Sequence, residues 1–306
     1  PSQESAELRL DPTGTATIRV GTIDQGQGHE TVYKQILCDR LGLEPEDVRY
    51  VTGDTDKVAF GHGTGGSRSA TLGGSAVMLT TEKIVDKAKK IAAHLMEAAE
   101  TDMEFDQGTF TVAGTDRTIA MAEVAKAAFD LKKLPEDMEP GLDESMVYQA
   151  HVINFPNGCH LCEVEIDEET GTIDVLRYSV VDDVGTVMNP MLLKGQIHGG
   201  IAQGLGQALM ENINYDSASG QLLTGSFMDY AMPRADDFSM MEVVSNPVPT
   251  KTNPLGVKGA GEAGNVGALA AVANAVVNAL SPLGITRIGM PATPAVVWRA
   301  IQDARG

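Results

Sequence analysis

The sequence has little cysteine. Cys38, Cys159 and Cys162 are too few for a disulfide framework in 306 residues, which points to a reducing, cytoplasmic compartment. Positive charge is also scarce: 23 Lys and Arg stand against 42 Asp and Glu, for a net charge of −19. Nucleic acids and anionic membranes are held by clustered basic side chains, so neither partner is expected. No apolar run approaches the roughly 20 residues of a membrane-spanning helix. The N-terminal PSQESAELRL does not read as a signal peptide, and a soluble protein is expected. Strand-like alternation is already under way near Pro1 with no initial Met, which reads as a piece of a longer polypeptide or a processed subunit.

What is present is ordinary globular material. Hydrophobic residues make up 42% of the chain, enough for a core, and the length suits about two domains. Glu7 to Leu10 and Thr15 to Val20 alternate as strands around a turn at Asp11-Pro12-Thr13-Gly14. A helix follows, with Val32, Ile36, Leu37 and Leu41 on one face and Gly42 as its stop. Val48 to Thr52 reads as a strand and Ser69 to Ala99 as a long helix. A hairpin near 105–112 and a helix near 120–129 close the first half. The second half begins in the same way: Cys162 to Asp167, a turn at 168–171, Thr172 to Val180, then a Gly-rich helix. The expectation is an α/β (α+β) fold of two related lobes, each a mixed sheet with packed helices. They would occupy 1–131 and 146–306, and the charged, aperiodic 132–145 would link them.

The 33 glycines are clustered, and three clusters precede helices. Gln25-Gly26-Gln27-Gly28-His29-Glu30 lies between a strand and a helix, where close backbone approach and open N–H groups suit a phosphate. A tight turn explains the glycines equally well, and Thr31 breaks the dinucleotide fingerprint. Gly63 to Ser69 offers Ser67, Arg68 and Ser69 as an anion cradle, or a plain Ser cap beside an exposed Arg. Leu255 to Gly264 carries Glu262 on an almost bare glycine loop. It is either a desolvated general acid or base or a helix-start carboxylate. Cys159-His160-Leu161-Cys162 lacks a second pair and falls in a strand, which argues against a metal site. Asp182-Asp183 and Asp236-Asp237 read as solvated loops.

Taken together, the motifs resemble the molybdenum-binding large subunit of the xanthine dehydrogenase, aldehyde oxidase and carbon monoxide dehydrogenase family. The resemblance runs in order through QGQGHETVYKQI, GDTDKVAFGHGTGGSRSATLGGSAV, PNGCHLCEVEID, VMNPMLLKGQIHGGIAQGLGQAL, SFMDYAMP, GVKGAGEAG and MPATPAVVWRAI. It implies the C-terminal half of that subunit and a molybdopterin cofactor, usually the cytosine dinucleotide in bacteria, with no protein ligand to the molybdenum. Gly26, Gln27, Gly28 and His29 are then expected at the pterin, and Gly66, Ser67, Arg68 and Ser69 at its phosphates. Gln196 is expected to bond the pterin, while Lys258, Gly259 and Gly261 present Glu262, the family's catalytic glutamate.

The implied reaction is hydroxylation of an aldehyde, an N-heterocycle or a CO-like substrate with water as oxygen source and Glu262 as base. The implied partners are the N-terminal half of the subunit, iron–sulfur and FAD-carrying subunits and a small-molecule substrate, in a higher oligomer. The chain itself has neither iron–sulfur cysteine runs nor a flavin domain. A non-catalytic module that binds a phosphorylated ligand or serves assembly is the competing expectation.

Overall fold

The computed structural model describes residues 2–238 and 240–306. The chain divides into two units. Unit 1 comprises Pro1–Asn154 and Pro249–Lys258, and unit 2 comprises Phe155–Val248 and Gly259–Gly306.

Unit 1 starts with the hairpin that the alternation predicts, β1 (Gln3–Leu10) and β2 (Ala16–Val20). Its inward positions Ala6, Leu8, Leu10, Ala16, Ile18 and Val20 are all buried, so the two-residue period sets the register. Gly14, at φ +88°, closes the turn by donating its N–H to Asp11 O at 2.9 Å. Helix α1 (His29–Leu41) follows and stops at Gly42, whose φ of +66° is the left-handed cap expected of glycine. Tyr33, rather than Val32, completes its buried face. The chain then enters β3 (Val48–Val51), parallel to β2, and reaches the long helix α2 (Gly74–Leu95). A wide π turn over Ser69–Gly73 opens α2 where an unbroken helix is expected. Strands β4 (Met103–Asp106), β5 (Thr109–Val112) and β6 (Thr118–Ala120) form a small antiparallel sheet, and α3 (Met121–Ala127) follows.

The expected linker at 132–145 is corrected here. Leu142–Gln149 is strand β7, paired antiparallel along the whole of β1 in a sheet of order β3-β2-β1-β7. The chain leaves unit 1 only after Asn154 and returns for 249–258, so lobes at 1–131 and 146–306 do not match the units.

Unit 2 repeats the plan. Strands β8 (Asn157–Ile166) and β9 (Ile173–Asp183) form a hairpin whose Gly171, at φ +74°, donates to Asp167 O at 2.7 Å. Helix α4 (Pro190–Leu209) crosses to β10 (Met241–Ser245), parallel to β9, and α5 (Ala263–Leu280) and α6 (Pro294–Arg305) complete the unit. Each unit thus carries the same strand–strand–helix–strand–helix sequence with a parallel third strand. Tyr178, Val180, Ile197, Ile201, Leu205, Val272, Val276, Val297 and Ile301 make the unit 2 core.

One expectation about apolar length changes. Ala263–Leu283 is long and apolar enough to cross a membrane by length and composition. Valine, alanine and leucine supply that character, and α5 buries Ala268, Val272, Val276 and Leu280 in the unit 2 core.

Candidate functional site

In unit 1 the loop before α1 is organised by Asp24. Its Oδ1 accepts the backbone N–H groups of Gly26 and Gln27 at 3.0 Å each, and Oδ2 lies 3.5 Å from Glu30 N. Partial burial pushes the Asp24 carboxyl up, but bonds from Gly26 and other backbone N–H groups, with the His29 ring nearby, hold it below the usual carboxylate value. The amides expected to meet a phosphate therefore already carry an internal carboxylate, and this loop is not an anion cradle. Gln27 folds back on Gln25, whose N–H it accepts at 2.6 Å. Gly26, at φ +106°, has no atom within 4 Å of where a Cβ would lie. His29 is buried and stacked on Tyr33 at 5.8 Å, and its Nδ1 has no hydrogen-bond partner among the described residues.

The second loop corrects the reading of Arg68. Its guanidinium is 8% exposed and turns inward to Glu4, which is fully buried, with Nη1 2.5 Å from Glu4 Oε2. Nη1 also donates to Gly63 O at 2.8 Å and Nη2 to Gln3 O. A buried carboxylate and two backbone carbonyls hold both terminal nitrogens of the fork, while Nε is buried with no partner among the described residues. The Ser69 hydroxyl lies 3.1 Å from Thr64 Oγ1, and Ser69 O accepts the Tyr33 hydroxyl at 2.9 Å, so Ser69 too is an internal residue. What stays open is the backbone at Gly65 and Gly66, where a Cβ would meet nothing within 4 Å. Ser67 beside them sits at φ +55°, a strained conformation for a residue with a side chain and one that gathers at functional loops.

The third loop begins as a strap on unit 1. Thr252 O accepts the Tyr148 hydroxyl at 3.2 Å, and Asn253 clasps Val257 with both amide atoms, at 2.8 and 3.2 Å. Val257 and Gly259 are buried and Lys258 is half-buried. From Gly259 onward the chain belongs to unit 2, where Glu262 is the N-cap of α5. Glu262 is exposed, which matches the helix-start carboxylate of the two alternatives and not the desolvated one. Gln196 reaches this loop: its Nε2 donates to Gly261 O at 3.0 Å.

Close packing explains several of the glycines here. A Cβ on Gly264 would lie 2.4 Å from Ile197 O, and one on Gly204 would lie 2.6 Å from Ala268 Cβ, so α4 and α5 touch backbone to backbone. Gly195 and Gly199 differ, with nothing within 4 Å of either. Such helical glycines cost roughly 1 kcal/mol each without a packing reason. Beside them, His198 Nε2 is buried with no partner among the described residues. Burial, helped by Lys194, lowers the His198 pKa.

Residues 1–239 match the family model of the molybdopterin cofactor-binding domain. The chain belongs to this family. It is 39% identical over 301 residues to the carbon monoxide dehydrogenase large chain of Hydrogenophaga pseudoflava, covering 98% of this chain and 37% of the relative. It is equally similar, 39% over 299 residues, to the nicotine 6-hydroxylase large subunit of Paenarthrobacter nicotinovorans, covering 97% and 36%. Among solved structures it superposes on reconstituted CO dehydrogenase from Oligotropha carboxidovorans with a TM-score of 0.93 at 37% identity, over 99% of this chain and 37% of that one. For quinoline 2-oxidoreductase from Pseudomonas putida 86 the TM-score is 0.90 at 36% identity, over 98% and 38%. The chain thus spans somewhat more than a third of the relatives it matches.

Each unit, taken by itself, has bare backbone and polar atoms of the kind that suit a polar cofactor. Unit 1 offers the His29 Nδ1 atom and bare backbone at Gly26, Gly65 and Gly66. Unit 2 offers His198 Nε2 beside two unfilled helical glycines. Sequence reasoning missed Asp24 and Glu4. Each left a signal: Asp24 stands two residues before a glycine, as in an Asx turn, and Glu4 shares the inward parity of Ala6 and Leu8. It also misjudged Asp182 and Asp183, which are buried at the end of β9. Asp182 Oδ1 lies 3.4 Å from His160 Nε2, and Asp183 Oδ1 accepts Gly185 N and Val248 N.

Proposed function

We propose that this chain is the cofactor-holding part of a molybdenum hydroxylase large subunit, with Glu262 as the group that accepts a proton during turnover. The observation that carries the reading is the similarity over 98% of the chain to a carbon monoxide dehydrogenase large chain. The bare glycines and the imidazole atoms without partners support it, because packing among the described residues does not account for them.

When bound, the molybdopterin, in its cytosine dinucleotide form, supplies a two-electron redox centre for hydroxylating a carbon with oxygen from water. In unit 1, Gly26, Gln27, Gly28 and His29 would contact the pterin, and the backbone at Gly66 and Ser67 its phosphates. In unit 2, Gln196 and His198 would contact the pterin, while Lys258 of unit 1 and Gly259 and Gly261 of unit 2 set the path of the Glu262 loop. Glu262 would take a proton at a carboxylate oxygen from the attacking nucleophile and release it before the next turnover. Substrates would be small aldehydes, N-heterocycles or CO-like molecules. Iron–sulfur and flavin subunits would carry the electrons away, within a cytoplasmic complex consistent with three free cysteines.

The test is Glu262→Gln in the assembled enzyme. Turnover is expected to fall by about 10²–10⁴, the usual worth of a general base, with molybdenum content unchanged. Unchanged turnover would remove Glu262 from the chemistry.

A further inference from the structure

Gln196 does more in this chain than face a ligand. It sits in the first turns of α4, and its Nε2 donates to Gly261 O at 3.0 Å. Gly261 directly precedes Glu262, so this bond holds the peptide unit from which Glu262 hangs. The loop itself is built of Gly259, Ala260 and Gly261, which have almost no side chains to pack.

The next anchor lies two residues beyond Glu262. Gly264 is pressed against the Ile197 carbonyl and the Gly200 backbone so closely that no side chain would fit. Residues 196, 197 and 200 of one helix thus seat residues 261 and 264 on either side of Glu262. Within α5, Val266 N donates to Glu262 O at 3.0 Å, which joins Glu262 to the helix that this contact locks.

We infer that Gln196 is a positioning residue for Glu262, acting through the Gly261 carbonyl. This inference rests on the proposed role of Glu262 and deepens it. A carboxamide donates through Nε2 and accepts through Oε1. With one Nε2–H committed to Gly261, Gln196 keeps its second N–H and its Oε1 acceptor for a ligand.

The experiment uses the complete enzyme with Gln196→Glu, which keeps the shape but sets two acceptor oxygens against a carbonyl, and Gln196→Met, which has no donor. Gln196→His retains a donor. Molybdenum content, kcat, KM and amide exchange over 260–266 are measured for each. In the Glu and Met variants, exchange at 260–266 is expected to speed up roughly three- to tenfold, the scale of one lost hydrogen bond. In both, kcat per bound molybdenum should fall with KM little changed, and Gln196→His should recover part of both losses. Unchanged exchange overturns the inference. So does a loss of molybdenum without a change in exchange, which would make Gln196 a cofactor contact only. The Glu262→Gln result is independent: if that variant loses turnover while the Gln196 variants exchange like the parent, the clamp fails and the catalytic role stands.

Discussion

Arg68 can serve an external anion or an internal carboxylate, but not both with the same donor fork. Glu4 lies 2.5 Å away and fully buried, and the guanidinium is 8% exposed. Removing one partner of such a pair strands a buried charge, at a cost of about 3–5 kcal/mol, whereas replacing both by apolar residues is often neutral. Arg68→Met should therefore destabilise the chain by about that amount in urea unfolding, and adding Glu4→Leu should recover most of it. A variant that unfolds normally but loses its ligand would restore the phosphate role. His29 makes a second prediction. Burial lowers its pKa below 6.5 against the opposing pull of Asp24, so the folded state prefers the neutral ring. That stability is present above the unfolded value near 6.5 and is lost as pH falls through the folded value. The melting temperature should drop as pH falls below about 6.5, and His29→Gln should flatten the drop.

At the scale of elements, the strands of the two hairpins were readable because burial of Ala6, Leu8 and Leu10 imposes a strict period of two. The Asp11–Gly14 and Asp167–Gly171 turns were readable because only glycine takes the closing conformation cheaply. Strand β7 escaped because it is an edge strand whose alternation buries little beyond Leu142 and exposes acidic residues. The glycine clusters misled for a related reason. A residue without a side chain does not say whether it makes room for a helix, a strap or a ligand. Gly264 makes room for α4, while Gly199 makes room for nothing among the described residues. Gly264→Ala should cost about 1–3 kcal/mol as an overpacked contact. Gly199→Ala should instead raise stability by about 0.5–1 kcal/mol, and in the complete enzyme it should lower cofactor occupancy. Thermal melting of both variants checks the contrast, and equal destabilisation would contradict it.

At the scale of the molecule, two units share one order of elements but not one surface chemistry. Unit 1 brings an Asp24-bound glycine loop and an imidazole; unit 2 brings a helix start with bare glycines and an exposed carboxylate. The candidate residues at Gly26, Gln27, Gln196 and Glu262 were named by motif, but the roles of Arg68 and Ser69 were not, since a long-range partner such as Glu4 leaves no mark in neighbouring sequence. The relatives are far longer than this chain, so the account is tested on the whole enzyme. The most direct measurement is metal and pterin analysis of the enzyme purified from its native host. The account predicts about one molybdenum per large subunit, with cytidine monophosphate released when the cofactor is hydrolysed. A fully active preparation with neither molybdenum nor a pterin would contradict it.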